Sequence, residues 1–183
     1  MTDNTGTVRS AEPPLRLHHN AFVVADQERT RAFYEDVLGL PLRATWIEIS
    51  ENLKGEAYCH SFYGLADGSA LAFFTFANPE TQQRVYGGGE PKNLYHHIAL
   101  SVDEETQDSI RSRCLAAGVK TRDIDHGYCK SLYLTDPDGL IVEFTLDAPD
   151  IASIEAYQAR TARRSLAAWQ AGERRPNNDW RQH

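Results

Sequence analysis

The chain has 183 residues, a length typical of one ordinary domain that can bury a substantial core. A hydrophobic fraction of 41% and a charged fraction of 25% exclude a disordered or fibrous chain. The net charge of −7 disfavours nucleic acid or an anionic membrane as a partner and favours a small molecule. The sequence has neither a membrane-spanning apolar run nor a hydrophobic signal core, so we expect a cytoplasmic protein. Its 3 cysteines form no C-x-x-C pair, which predicts neither disulfides nor a thiolate zinc site.

The first half of the chain predicts one strand, one helix and three further strands. Residues 1–15 are polar and contain two prolines, which predicts a mobile N-terminal arm. The segment LRLHHNAFVV alternates like a strand, and Asp26 can cap a helix through FYEDVL that ends at Gly39. The segments LRATWIEIS, AYCHSFYGL and SALAFFTF then predict three strands. Residues 16–77 therefore form a predicted βαβββ unit, followed by a glycine-containing loop.

The second half predicts the same order of elements over residues 94–148. LYHHIALSV predicts a strand, and Asp103 can cap a helix that ends at Gly118, with Ile110, Cys114 and Leu115 on its apolar face. Strands are predicted near KTRDID, SLYLT and LIVEFTL.

Residues 149–183 predict a C-terminal helix and a polar tail. Asp150 can cap this helix, and Ile154, Leu166 and Trp169 are among its apolar positions. The segment is expected to be a solvated amphipathic helix, with docking on its own body or on a second subunit as the alternatives.

The two halves also match residue by residue. HNAFVV, which begins at His19, aligns with HIALSV, which begins at His97, and the Asp67-Gly68 pair matches Asp138-Gly139. This match indicates an internal duplication. We therefore predict an α+β fold in which two βαβββ units form a cupped mixed β-sheet, with a C-terminal helix.

Two repeated histidines and one carboxylate predict a metal site in the cup. His19 and His97 begin the equivalent strands, and Glu143 lies between Val142 and Phe144 in an otherwise apolar strand. Strand alternation places Glu143 on the face opposite to those two apolar side chains. A carboxylate at such a position is costly unless a cation or a hydrogen-bond donor meets it. Two histidines and one carboxylate are a known ligand set for catalytic metals.

The residues next to the predicted ligands, and the repeat position of Glu143, limit the site to three protein ligands. His18 and His96 precede the two ligand histidines and should point to the opposite face. Ala72 occupies the repeat position that corresponds to Glu143, so no symmetric fourth ligand is present. Three protein ligands leave coordination positions open, which is typical of a catalytic rather than a structural metal.

The duplicated βαβββ pattern resembles the vicinal oxygen chelate superfamily, which includes glyoxalases, bleomycin-resistance proteins, fosfomycin-resistance enzymes and type I extradiol dioxygenases. Within it, IDHGYCKSLYLTDPDGLIVE resembles the extradiol ring-cleavage motif, with His126, Tyr133 and Glu143 at matching positions. The resemblance implies a one-domain extradiol dioxygenase of aromatic hydrocarbon catabolism that inserts O2 into a catechol-type diol. It implies Fe(II), with Mn(II) as second choice, on His19, His97 and Glu143. His126 and Tyr133 would be catalytic, and the protein would be a homo-oligomer.

One feature of the dioxygenases is missing. The family has a further active-site histidine upstream of the second metal ligand, and at that approximate spacing this chain has Gln82 and Gln83. His60 is the histidine left to substitute for it, so the acid/base residue is either His126 or His60.

Three other functions compete with the dioxygenase. A thiol transferase of the fosfomycin-resistance kind would need clustered cations for its phosphonate, whereas Lys130 is the only cation in the motif segment. A glyoxalase-type isomerase normally has a fourth ligand at the Ala72 position. A bleomycin-resistance-like binding protein needs no metal, so the retained ligands disfavour it.

Overall fold

The computed structural model describes residues 13–87, 93 and 95–181. Most of the predicted N-terminal arm, and Gly88 and Gly89 of the predicted loop, lie outside the described residues. In chain order the elements are β1 (His19–Val23), α1 (Gln27–Arg31), a π-helical turn (Ala32–Val37), β2 (Leu42–Ser50), a 3₁₀ turn (Glu51–Leu53), β3 (Glu56–Gly64), β4 (Ala70–Phe76), α2 (Pro79–Tyr86), β5 (His97–Ser101), α3 (Glu104–Ala116), β6 (Thr121–Asp125), β7 (Cys129–Thr135), β8 (Ile141–Asp147) and α4 (Ile151–Gln170).

These elements form two compact units. Unit 1 comprises the described residues up to Gln27 together with Leu40–Gly87, and unit 2 comprises Glu28–Gly39 and the described residues beyond Gly87. Unit 1 contains a four-stranded sheet of order β1-β4-β3-β2, and unit 2 a four-stranded sheet of order β5-β8-β7-β6. In each sheet the first pair of strands is parallel and the others are antiparallel. The predicted α+β fold with mixed strand pairing and a C-terminal helix is confirmed. The strands form two four-stranded sheets, one in each unit, where the sequence predicted one cupped sheet.

The repeated Asp-Gly turns have the same hydrogen bonds in both units. The amide of Leu65 donates to the Ser69 carbonyl at 2.8 Å, and the amide of Asp136 donates to the Leu140 carbonyl at 2.8 Å. Gly139 within the second turn has a φ of 99°, a left-handed conformation that favours glycine. The equivalent turns and the shared strand order support the internal duplication.

Unit 1 contains a helix, α2, in the segment before Gly87 where the sequence pattern predicts a loop. Helix α2 begins after Asn78, whose side chain accepts hydrogen bonds from the amides of Glu80 and Thr81. Gln82 then connects this helix to the strands: its Oε1 accepts from the Phe76 amide, and its Nε2 donates to the Val24 carbonyl, both at 2.8 Å. Gln82 therefore has a structural role, which accounts for a polar residue at this position.

Unit 2 buries the apolar face of β8 beneath α3. Val142 and Phe144 of β8 and Ile110 and Cys114 of α3 are buried. Asp103 caps α3 as predicted, because its side chain accepts a hydrogen bond from the Thr106 amide at 2.8 Å.

Some predicted apolar contacts of the helices were wrong. Leu115 is 82% exposed, since it lies about 100° around the helix from its buried neighbour Cys114. In α4, Ile154 is buried, whereas Leu166 and Trp169 are exposed. Among the helices of the described residues, none is long and apolar enough to span a membrane.

Candidate metal and substrate site

Glu143 is a buried carboxylate in β8, the second strand of the unit 2 sheet. Its strand neighbours Val142 and Phe144 point into the core, and Glu143 points to the other face but is only 4% exposed. Its Oε2 lies 2.9 Å from Nε2 of His97. The strand register pairs Glu143 with Ala99 on one side and with Tyr133 on the other. The sequence pattern therefore placed this side chain on the correct face.

Tyr133 connects Glu143 to His126. Its hydroxyl lies 3.0 Å from Nε2 of His126, and Tyr133 pairs with Glu143 in the register of the β7–β8 hairpin. Its ring contacts that of His97 in an edge-to-face arrangement with a centroid separation of 5.9 Å. Burial, followed by the interaction with the neighbouring Glu143 carboxylate, raises the pKa of Tyr133 well above its ordinary value. These four residues, which we call the polar chain, form a continuous series from His126 through Tyr133 and Glu143 to His97.

His19 lies in unit 1, among aromatic side chains. Its ring contacts those of Phe62 and His60, with centroid separations of 5.3 and 5.9 Å. Its Nδ1 lies 2.8 Å from Nδ1 of His18. His18 thus contacts His19 rather than pointing away from it, because β1 begins at His19 and strand alternation does not extend to His18.

His60 shares this aromatic environment. It stacks on Phe74 with a centroid separation of 3.7 Å, and its buried Nε2 has no hydrogen-bond partner among the described residues. Burial and, secondarily, the neighbouring His19 lower the pKa of His60. The rings of His60 and His19 are in contact, so the two histidines belong to the same cluster of unit 1.

The predicted ligands are divided between the two units, with His19 in unit 1 and His97 and Glu143 in unit 2. Within the described part of the chain, no group of three or more His, Cys, Asp or Glu side chains is placed to hold a metal. The three-residue ligand set therefore stays a prediction.

The strand register supports the alignment of Ala72 with Glu143. In unit 1 Ala72 pairs with Ala21 of the neighbouring parallel strand, and in unit 2 Glu143 pairs with Ala99 of the equivalent strand. Unit 1 thus has a methyl group where unit 2 has a carboxylate.

The comparisons with known proteins agree with this architecture. The family model of the glyoxalase/bleomycin resistance protein/dioxygenase superfamily matches residues 16–144. The chain belongs to this superfamily. It is 34% identical over 147 residues to a lactoylglutathione lyase of Salmonella typhimurium, which covers 74% of this chain and 95% of that protein. A lactoylglutathione lyase of Haemophilus influenzae is 30% identical over 139 residues, covering 71% of this chain and 91% of that enzyme.

Solved structures share the fold at lower identity. A mutant of the fosfomycin resistance protein FosX from Listeria monocytogenes, complexed with Mn(II) and 1S,2S-dihydroxypropylphosphonic acid, is 18% identical. Its TM-score is 0.53, and the match covers 75% of this chain and 97% of that protein. A glyoxalase/dioxygenase from Nostoc punctiforme is 22% identical with a TM-score of 0.54, covering 78% and 99%.

The superfamily expected from the sequence is confirmed, but the predicted reaction is wrong. The curated relatives are lactoylglutathione lyases, so an extradiol oxidoreductase that uses an aromatic diol and O2 is not supported. Fe(II) is likewise unconfirmed. The spacing of His126, Tyr133 and Glu143 does not identify the reaction. Tyr133 and Glu143 are direct neighbours across the β7–β8 hairpin, and His126 lies in the turn before β7. Hairpin geometry sets this spacing whatever the reaction.

Proposed function

We propose that the protein is a metal-dependent lyase or isomerase of the glyoxalase type, acting on a thioester or hemithioacetal of glutathione or a similar thiol. The observation that carries this proposal is the 34% identity to a lactoylglutathione lyase over nearly the whole of that enzyme. The polar chain of unit 2 gives the proposal a chemical basis, because it places hydrogen-bonding groups beside a buried carboxylate.

The donor set suits a divalent cation. His19 and His97 offer imidazole nitrogens, and Glu143 offers a carboxylate whose burial in a largely apolar strand is favourable when a cation meets it. When bound, the metal would act as a Lewis acid on two neighbouring substrate oxygens. Fe(II) and Mn(II) remain candidates, to be compared with Ni(II) and Zn(II).

Lactoylglutathione, the compound in the names of the relatives, has oxygen atoms on two adjacent carbons. A lactoyl thioester has a carbonyl next to a hydroxyl-bearing carbon, and its hemithioacetal isomer has these two groups exchanged. The interconversion moves one proton between the carbons and one between the oxygens, and it consumes neither an oxidant nor water. Tyr133 would donate a hydrogen bond to one substrate oxygen, and Nε2 of His126 would exchange a proton with the Tyr133 hydroxyl.

A proton acceptor at the substrate carbon is also needed. Ala72 excludes a second carboxylate at the symmetric position, so the candidates are His126 in unit 2 and His60 in unit 1. His60 is favoured by geometry, because its Nε2 has no partner among the described residues and its ring contacts the proposed ligand His19.

The test uses protein loaded separately with each of the four metals. Bound metal is measured by elemental analysis, and turnover is followed by the ultraviolet absorbance of the thioester, starting from glutathione and methylglyoxal or from lactoylglutathione. We expect stoichiometric metal and measurable turnover with at least one metal.

A matched pair of variants tests the ligand assignment. Glu143→Ala should lose both metal and turnover, whereas Glu105→Ala, which changes an exposed residue of α3, should retain both. Metal that binds Glu143→Ala as tightly as the wild-type protein would contradict the ligand assignment. A fully metallated wild-type protein without turnover of any thiol adduct would refute the proposed reaction.

A further inference from the structure

The C-terminal end of unit 2 packs on the turn that carries His126. The superfamily match ends at residue 144, and α4 ends at Gln170. Beyond it, Nδ2 of Asn178 donates a hydrogen bond to the backbone carbonyl of His126 at 2.9 Å. We call residues 176–181 the C-terminal strap.

Gly127 makes close contact between the strap and the turn. A Cβ atom at this glycine would overlap the carbonyl group of Trp180 and would lie 2.5 Å from the backbone nitrogen of Arg181. Gly127 also has a φ of 81°, so a side chain here would be unfavourable for two separate reasons. The backbone of the strap therefore lies directly on the turn, which only glycine permits.

The strap is anchored at its other side by α4. The ring of Trp180 packs edge-to-face against that of Tyr157, with a centroid separation of 5.5 Å. The strap is therefore held between a helix and the β6–β7 turn, and both of these belong to unit 2.

The β6–β7 turn holds His126, which is one end of the polar chain. The amide of His126 donates to the Cys129 carbonyl at 2.9 Å, and the amide of Gly127 donates to the Asp125 side chain at 2.7 Å. The His126 side chain faces Tyr133 at 3.0 Å. A shift of the backbone at His126 would change the distance and angle of this contact, and a hydrogen bond weakens as it departs from ideal geometry.

We propose that the C-terminal strap positions His126 against Tyr133, with Asn178 as the positioning residue. The hydrogen bond that Asn178 donates goes to the backbone of His126 and not to a side chain of the polar chain. It acts on the site through the His126 backbone, so its removal should disturb the geometry of the polar chain and leave the metal ligands in place. The kinetic part of this inference rests on the proposed function, and the structural part does not.

The chain offers a matched control in the neighbouring asparagine. Asn178→Asp keeps the shape of the side chain and removes its N–H donor, and Asn177→Asp makes the same change at an exposed position. In Asn178→Asp we expect the imidazole NMR signals of His126 to shift, and amide hydrogen exchange at residues 126–129 to accelerate about 2- to 10-fold, the equivalent of one hydrogen bond. In Asn177→Asp both measurements should match the wild-type protein.

Kinetics provide a second measurement. Asn178→Asp should lower kcat about 2- to 10-fold with bound metal unchanged, whereas a merely structural role would lower the melting temperature and leave kcat of the folded fraction intact. If the added charge of Asn178→Asp unfolds the protein, Asn178→Ala removes the same N–H donor without adding a charge. It should give the same changes in His126 signals, exchange rates and kcat.

The outcomes separate the two proposals. If wild-type protein turns over no thiol adduct, the proposed function fails, but the His126 signals and the exchange rates still decide the role of the strap. If Asn178→Asp and Asn177→Asp give the same signals and exchange rates, the strap does not position His126 and the inference is overturned.

Discussion

Tyr34→Phe should destabilise the protein by about 1.5–3 kcal/mol at neutral pH, because it removes a hydrogen bond to a buried carboxyl group. In unit 2 the Tyr34 hydroxyl donates to Oδ2 of Asp136 at 2.9 Å, and the two residues are 0% and 4% exposed. The other oxygen, Oδ1, accepts from the amides of Asp138 and Leu140. The substitution therefore removes one of the three hydrogen-bond donors to the Asp136 carboxyl group. Water cannot readily replace it, because both residues are buried.

The same variant should show a defined pH dependence. Burial raises the pKa of Asp136 above its ordinary value, although the Tyr34 hydroxyl acts in the opposite direction. The folded state therefore holds the proton more tightly than the unfolded state. The contribution to stability is complete below the unfolded pKa of about 3.9 and is lost as the pH rises through the folded pKa.

Without the Tyr34 hydroxyl the folded pKa of Asp136 rises further, so more stability is lost at neutral pH. Urea unfolding of Tyr34→Phe and wild-type protein from acid to neutral pH should give a difference in unfolding free energy that grows with pH. Tyr58→Phe is the control, because its hydroxyl bonds Glu48 at the surface of unit 1 and its removal should leave the Asp136 titration unchanged. A difference for Tyr34→Phe that is constant over this range would refute the coupling.

Two further predictions concern the site and the fold. Tyr133→Phe keeps the ring and removes the hydroxyl between His126 and Glu143, so kcat/KM for thiol adducts should fall about 10- to 100-fold; unchanged kinetics would remove Tyr133 from the site. Gln82→Ala should cost about 1–3 kcal/mol in urea unfolding because it leaves two backbone groups without their partner. The exposed neighbour Gln83→Ala should cost less than about 0.5 kcal/mol, and equal effects of the two changes would show that the amide contacts of Gln82 are not responsible.

The sequence predicted the eight strands well because strand alternation is visible in the residues themselves. β2 occupies the whole of the predicted LRATWIEIS, and Val142 and Phe144 are buried as predicted. The duplication helped further, since each half confirmed the order of elements in the other.

The elements that escaped prediction depend on contacts that are distant in the sequence. Helix α2 had a visible start signal in Asn78 followed by Pro79, but it lacks an apolar period and is held by Gln82 through backbone groups elsewhere in unit 1. The C-terminal strap is mostly polar, so the sequence predicts a solvent-exposed tail. Its position depends on Gly127, which lies about fifty residues earlier in the chain.

The two copies of the repeat differ at two positions that face each other across a hairpin, and the motif in unit 2 does not show what unit 1 contributes to the reaction. Tyr133 faces Glu143 across the hairpin in unit 2, and Phe62 faces Ala72 at the equivalent place in unit 1. A buried carboxylate needs a donor, so the absence of the carboxylate and of the tyrosine hydroxyl in unit 1 is physically consistent. Unit 2 therefore offers Tyr133 and His126 as hydrogen-bonding groups beside the carboxylate. Unit 1 offers His19 and the proposed proton acceptor His60 among aromatic side chains, and this asymmetry distinguishes the chain from a symmetric four-ligand metal protein.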